Sequence, residues 1–261
     1  MSEQNPQNKD FILSKGFNLA QDIFGIITLV LAIVQGITSL IPAKIFLVIS
    51  GVVLFIEYMS SYCKNVFFDK GHRIREIGLI DNSFNEKKIP NYNSEPYYNN
   101  ACISKNKIKL LANIHENSLF TSSIAGEMSL PYYFFSAVTF LFFITKLFMS
   151  GMDDYSSSLL GFIASSSLFD RAIKLHSLKK SSKDVYDKVN EICNVYEKCS
   201  VKTSMILPQI IEVLLLYENA VFESKIILSE RIFSKRNDSL SKDWLDVRDK
   251  YLIYKCQKEC D

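Results

Sequence analysis

The chain lacks every catalytic signature that spacing alone would reveal. No Gly-rich phosphate loop, paired catalytic carboxylates, nucleophile elbow or H-E-x-x-H helix occurs among its 261 residues. His176 and Asp170 sit six apart on one helical segment and face different sides, so they form no dyad. None of the six cysteines (Cys63, Cys102, Cys193, Cys199, Cys256, Cys260) makes a C-x-x-C pair, and His72, His115 and His176 lie apart from them in sequence. A zinc site needs clustered ligands, so neither metal nor cofactor is implied. An excess of one charge is missing too: the net charge is +2. Basic residues of the tail are matched by acidic ones, which argues against a stable nucleic-acid face. A signal peptide is not expected either. The residues before Ile23 are polar and include Glu3, Asp10 and Asp22, and the apolar run after them exceeds a signal h-region. That run reads as a retained anchor.

What the chain has is apolar length. Ile23 to Ala43 contains no charge over 21 residues, and the 19 residues between Lys44 and Lys64 contain only Glu57. Met128 to Thr145 adds 18, and Tyr155 to Phe169 a shorter 15. A bilayer core of ~30 Å needs about 20 helical residues, so the first three runs qualify on length and the fourth is short. The expected fold is all-α: an integral membrane protein with two transmembrane hairpins, four spans in all, and a cytosolic helical bundle. The parts are a polar start (1–22), hairpin one (23–63), a helical and loop segment (64–127), hairpin two (128–170) and a helical tail (171–261). Pro42 closes the first turn, while Gly151, Asp153 and Asp154 form the second. Ser129 and Pro131 are expected to start span three. Lys64, Lys70, Arg73 and Arg75 follow span two, and Arg171, Lys174, Lys179, Lys180 and Lys183 follow span four. The two turns hold only Lys44 and Lys146. Positive-inside bias therefore puts both termini and the central segment in the cytoplasm.

Polar residues at membrane depth are the candidate sites. Glu57 reads either as a pore-lining carboxylate, or a latch to a cation such as Arg171, or as the end of a helix touching headgroups. Gln35 and Thr38 on span one and Thr139 on span three can bond between helices. Ser157, Gly161 and Ser165 are four apart on span four, a spacing that allows close helix packing. That face reads as a seam inside the protein or between subunits.

Beyond the membrane, span two is expected to continue as a helix to Phe84. Asp81-Asn82-Ser83 and the stretch Pro90 to Asn100 then read as an irregular loop, and the second, dense in Tyr and Asn, caps a helical body or binds a base or peptide. Ser104 is placed to cap the helix that follows. After span four, Leu178, Val185, Ile192 and Cys199 recur every seven residues, with Val189 and Tyr196 in the companion position. This is a stalk seam about three heptads long, made to pair with a helix of this chain or of another protomer. Pro208 precedes a short apolar helix of the bundle, and a last helix is expected from near Ser241.

The stretches Arg73-Ile74-Arg75-Glu76-Ile77-Gly78-Leu79-Ile80-Asp81-Asn82-Ser83-Phe84, Tyr97-Tyr98-Asn99-Asn100 and Asn117-Ser118-Leu119-Phe120, set between two hairpins and a helical tail, carry a resemblance. The chain resembles the SMODS/SLOG-associating four-transmembrane effectors of bacterial antiphage systems. That resemblance implies a toxic protein of the bacterial inner membrane, silent until a partner senses infection, that then compromises the membrane. The implied partners are the lipid bilayer, further copies of the chain, and a regulatory protein, nucleotide second messenger or retron reverse transcriptase with its RNA. Two other classes stay open: a regulated ion channel or transport subunit, and a non-conducting scaffold whose tail recruits a soluble partner.

Overall fold

The computed structural model describes residues 7–38, 41–84, 86–89, 98, 100–152, 156, 160, 163, 167–199 and 205–255. Among them the fold is all-α, built on six helices: α1 (Asn8–Thr38), α2 (Ala43–Phe84), α3 (Lys107–Ser150), α4 (Ser167–Cys199), α5 (Leu207–Ser224) and α6 (Glu230–Lys250). A 3-10 turn (Leu252–Tyr254) closes the described chain. Among the described residues, three helices are long and apolar enough to cross a membrane: Asn8–Gln35, Lys44–Phe84 and Lys107–Met149. Most of the fourth apolar run, with Ser157, Gly161 and Ser165, lies outside the described residues.

The chain divides into two compact units. The body comprises Met1–Asn8, Lys70–Met128 and Leu175–Asp261; the apolar unit comprises Lys9–Asp69 and Ser129–Lys174. Both draw on α2, α3 and α4, because those helices run without a break past the ends of their apolar stretches.

The body encloses one apolar core. Leu79, Leu111, Ile114, Val189, Ile210, Val213, Tyr217, Trp244 and Tyr254 form one buried cluster. The heptad seam enters it: Val185, Val189 and Ile192 belong to the cluster, Tyr196 packs at its margin, and Leu178 is also buried. The seam is thus covered by this chain's own helices. At its end it is Cys193 that joins the core, and the Cys199 side chain lies outside the described residues. A chain of buried side-chain bonds crosses the same core. The Trp244 indole donates to Asn100 Oδ1 (3.0 Å), and the Asn100 amide donates to Asn113 (2.9 Å) and Glu116 (2.8 Å). Asn113 in turn donates to Asn82 (2.9 Å) and Ser83 (3.2 Å). Asn100 therefore pins the end of the Tyr/Asn loop to the body, while residues 90–97 and 99 lie outside the described residues.

Four local expectations are corrected. Asp81-Asn82-Ser83, read as part of an irregular loop, belong to the last turn of α2. The helix before span three and span three itself are one helix, α3, which runs through Pro131. The proline costs the helix its own N–H bond and crowds the carbonyl one turn before it, yet the helix continues on both sides, its ring lying exposed. Asn106 rather than Ser104 caps α3, its side-chain oxygen accepting from the Ile108 N–H (2.6 Å). The last helix starts at Glu230, eleven residues before Ser241, because Ser229 caps it by accepting from the Ile232 N–H (3.4 Å).

Candidate functional site

The apolar unit reverses the usual order of a folded domain. Its surface carries Ile23, Ile26, Val30, Leu47, Val48, Phe55, Phe134, Phe140 and Leu141; Phe55 is 65 % exposed and Leu141 64 %. Its interior holds polar side chains beside a small apolar cluster, in which Leu29, Tyr132 and Ile144 pack on Phe143. On α1, Ser14, Gln21, Thr28 and Gln35 are all buried and recur every seven residues. Seven residues are nearly two helical turns, so they form one slowly drifting stripe. On α2 the buried set includes Glu57, Ser60 and Lys64, and on α3 Ser129, Ser136 and Thr139. Water as solvent would penalise both halves of this arrangement: apolar surface exposed and polar groups enclosed.

Individual bonds show how the enclosed groups are kept. Gln35 is a turn clamp. Its amide donates to the Ile41 carbonyl (2.5 Å) and accepts from the Ile41 N–H (3.1 Å), fixing the connection from α1 to α2. Thr139 bonds within its own helix, to the Phe135 carbonyl (2.8 Å), and Thr28 does the same to Phe24 (3.0 Å). Such back-bonding satisfies a hydroxyl without a second helix. The Thr38 side chain lies outside the described residues.

An ionic node joins four helices near the ends of the apolar stretches. Arg171 of α4 donates through Nη1 to both oxygens of Asp22 on α1 (2.5 and 2.6 Å) and to the Tyr132 hydroxyl on α3 (2.9 Å). Its Nη2 donates to Asn18 Oδ1 (2.6 Å), and the guanidinium lies over the Tyr132 ring, 5.3 Å from its centre. Lys64 of α2 stands in the field of this pair, with Lys174 and Asp170 also acting on it. Its backbone carbonyl accepts from Ser14 Oγ (2.9 Å). The sequence expectation that Glu57 latches to Arg171 is therefore corrected: Asp22, whose carboxylate is available on the facing helix, is the partner. Glu57 is buried seven residues before Lys64, about 10 Å along the helix.

A second polar cluster belongs to the body, on the part of α2 beyond its apolar stretch. His72 Nε2 lies 3.3 Å from Glu76 and 3.7 Å from Glu218 of α5, and Arg75 donates to Glu218 Oε2. Burial, with Arg75 and Lys225 nearby, pushes the His72 imidazole down to about 3, so it is neutral. The three donor atoms lie within 4.8 Å of one another, close enough to share one cation. One of the two carboxylates, Glu218, is already paired with Arg75. The cluster ties α2 to α5.

No family model, curated protein or solved structure matches the chain. Function therefore has to be argued from its own residues. Of the polar residues singled out in the sequence, Gln35, Glu57 and Thr139 fall within the apolar unit's interior. Two features escaped sequence reasoning. The heptad of Ser14, Gln21, Thr28 and Gln35 was visible as a period, but two of its members precede the apolar run. Asp22 was legible as a carboxylate one residue before that run, yet its partner lies 149 residues away.

Proposed function

We propose that the chain is an integral membrane protein that permeabilises the bacterial inner membrane on a signal, as the resemblance to four-transmembrane antiphage effectors implies. The four apolar runs lie in the bilayer as two hairpins, and the body, with both termini, faces the cytoplasm. The single observation that carries this reading is the reversed polarity of the apolar unit. Lipid is the solvent that favours Phe55 and Leu141 outside with Gln35, Glu57 and Arg171 inside. In the resting state the enclosed stripe is closed by the Gln35 clamp and the Asp22–Arg171 pair. Activation rearranges the helices, alone or with further copies, so that the stripe lines a water-filled path. The trigger acts on the body, through a regulatory protein, a nucleotide second messenger or a retron-type complex.

Expression of the chain with and without its genomic neighbours, followed by membrane potential and growth, tests this. Depolarisation with growth arrest, relieved by a neighbouring gene, is the expected result. Ion flux without growth arrest would replace it with a transport subunit, and neither effect would leave a scaffold.

A further inference from the structure

Lys64 is the one member of the ionic node whose charge is left over. It is only 7 % exposed, yet its ammonium makes no hydrogen bond and no ion pair among the described residues. Every other charge that acts on it is already matched. Asp22 is taken by Arg171, and Asp170 pairs with Lys174 at 2.8 Å. Three cations face two carboxylates, leaving one net positive charge at the point where α1, α2, α3 and α4 meet. The stem of Lys64 is enclosed while its ammonium reaches the surface without a partner among the described residues, and an excess of positive charge at such a place favours an anion. The surroundings narrow the anion's chemistry. Lys64 closes the apolar stretch of α2, at the level where a bilayer's phosphates begin, and the chain around it is apolar on its outer face.

We propose that Lys64 is the donor end of a site for a phosphate oxyanion, supplied by the headgroup of an anionic lipid. The phosphate accepts charge-assisted hydrogen bonds from the ammonium and neutralises the node. Arg171 does not ligate it, because its Nη1 and Nη2 are spent on Asp22, Tyr132 and Asn18. The lipid would thereby brace the junction of the four helices and make the closed arrangement dependent on membrane composition. The inference rests on the membrane reading above.

The test reconstitutes the full chain in vesicles of phosphatidylcholine alone and of phosphatidylcholine with phosphatidylglycerol. It then measures thermal unfolding and the lipid retained by native mass spectrometry. The wild-type chain is expected to unfold several degrees higher with phosphatidylglycerol and to retain that lipid selectively. Lys64→Gln should lower selective retention about tenfold, the worth of one charge-assisted bond. Lys64→Arg keeps the charge and should preserve most of it, and Lys180→Gln, on the exposed face of α4, should leave it unchanged. If Lys64→Gln does not fold, the wild-type lipid titration and Lys64→Arg still decide. Equal stabilisation by inorganic phosphate in detergent would overturn the lipid source and leave a free phosphate site. Incorporation into both vesicles with no phosphatidylglycerol preference overturns the site while the membrane reading stands. Failure to incorporate into either overturns both.

Discussion

Removing the Asp22 carboxylate probes the node from which the closed state is argued. Arg171 is 5 % exposed and its side-chain bonds run to Asp22, Tyr132 and Asn18. Asp22→Ala leaves the guanidinium enclosed without its counter-charge. Breaking a buried pair this way costs about 3–5 kcal/mol. Asp22 keeps 23 % of its side-chain surface exposed, so water recovers part of that and the lower end, about 3 kcal/mol, applies. That is roughly a hundredfold in an equilibrium constant. Reversible denaturant unfolding in mixed micelles, run on Asp22→Ala, Arg171→Met and the double variant, measures it. The double variant should be less destabilised than Asp22→Ala, because the stranded charge is gone with its partner. A coupling of about 2 kcal/mol is expected for groups in direct contact. Potassium release from vesicles should rise in Asp22→Ala, since the closed arrangement is what the pair stabilises. Single-variant effects that add to within about 0.5 kcal/mol would refute the reasoning.

Gln35→Leu removes both bonds to Ile41 and should lower stability by about 1–3 kcal/mol, read by thermal unfolding in micelles. Trp244→Phe strands the Asn100 oxygen inside the body and should cost a similar amount; hydrogen exchange of α3 amides near Asn113 should accelerate. Acid should weaken the body through His115, which burial pushes down to about 3 against a hydrogen bond to Asn190. The folded state keeps His115 neutral while the unfolded chain takes up a proton below its ordinary value of 6.5. This contribution to stability is thus full above that pH and falls by about 1.4 kcal/mol per unit as the pH drops towards 3. His115→Gln should flatten that slope in an acid titration followed by circular dichroism. Glu57→Gln should change the conductance of the activated leak, measured in planar bilayers; an unaltered conductance would make Glu57 a packing residue.

The helical class and the long apolar stretches were legible because a bilayer-length run and a 3.6-residue period are local signals. α2 was readable beyond its apolar stretch for that reason, but its last turn was not, because Asp81, Asn82 and Ser83 are turn-forming residues. Leu178, Val185 and Ile192 were readable as a seam, but Val185 and Ile192 belong to a cluster with Leu111, Trp244 and other residues far away in sequence, so that own-chain packing was not. Pro131 misled because local chemistry marks it as a helix start, whereas the apolar packing of α3 on both sides carries the helix through it. Ser241 misled in the same way: three preceding turns carry few apolar residues, and only the Ser229 cap sets the true start. The ionic node was least legible. Asp22, Lys64 and Arg171 each sit beside an apolar run, where topology alone accounts for a charge. Only the packing of α1 against α2, α3 and α4 reveals that two are paired and the third is left over.

Lipid contact at the outward side chains tests the central claim most directly. Tryptophan introduced at Phe55 and at Leu141, one at a time, can be compared with the native Trp244, which is fully buried in the body. In vesicles of brominated phosphatidylcholine, both new indoles should be strongly quenched, and tryptophan at the enclosed Ser60 much less so. Fluorescence at positions 55 and 141 that brominated lipid leaves untouched would contradict the account.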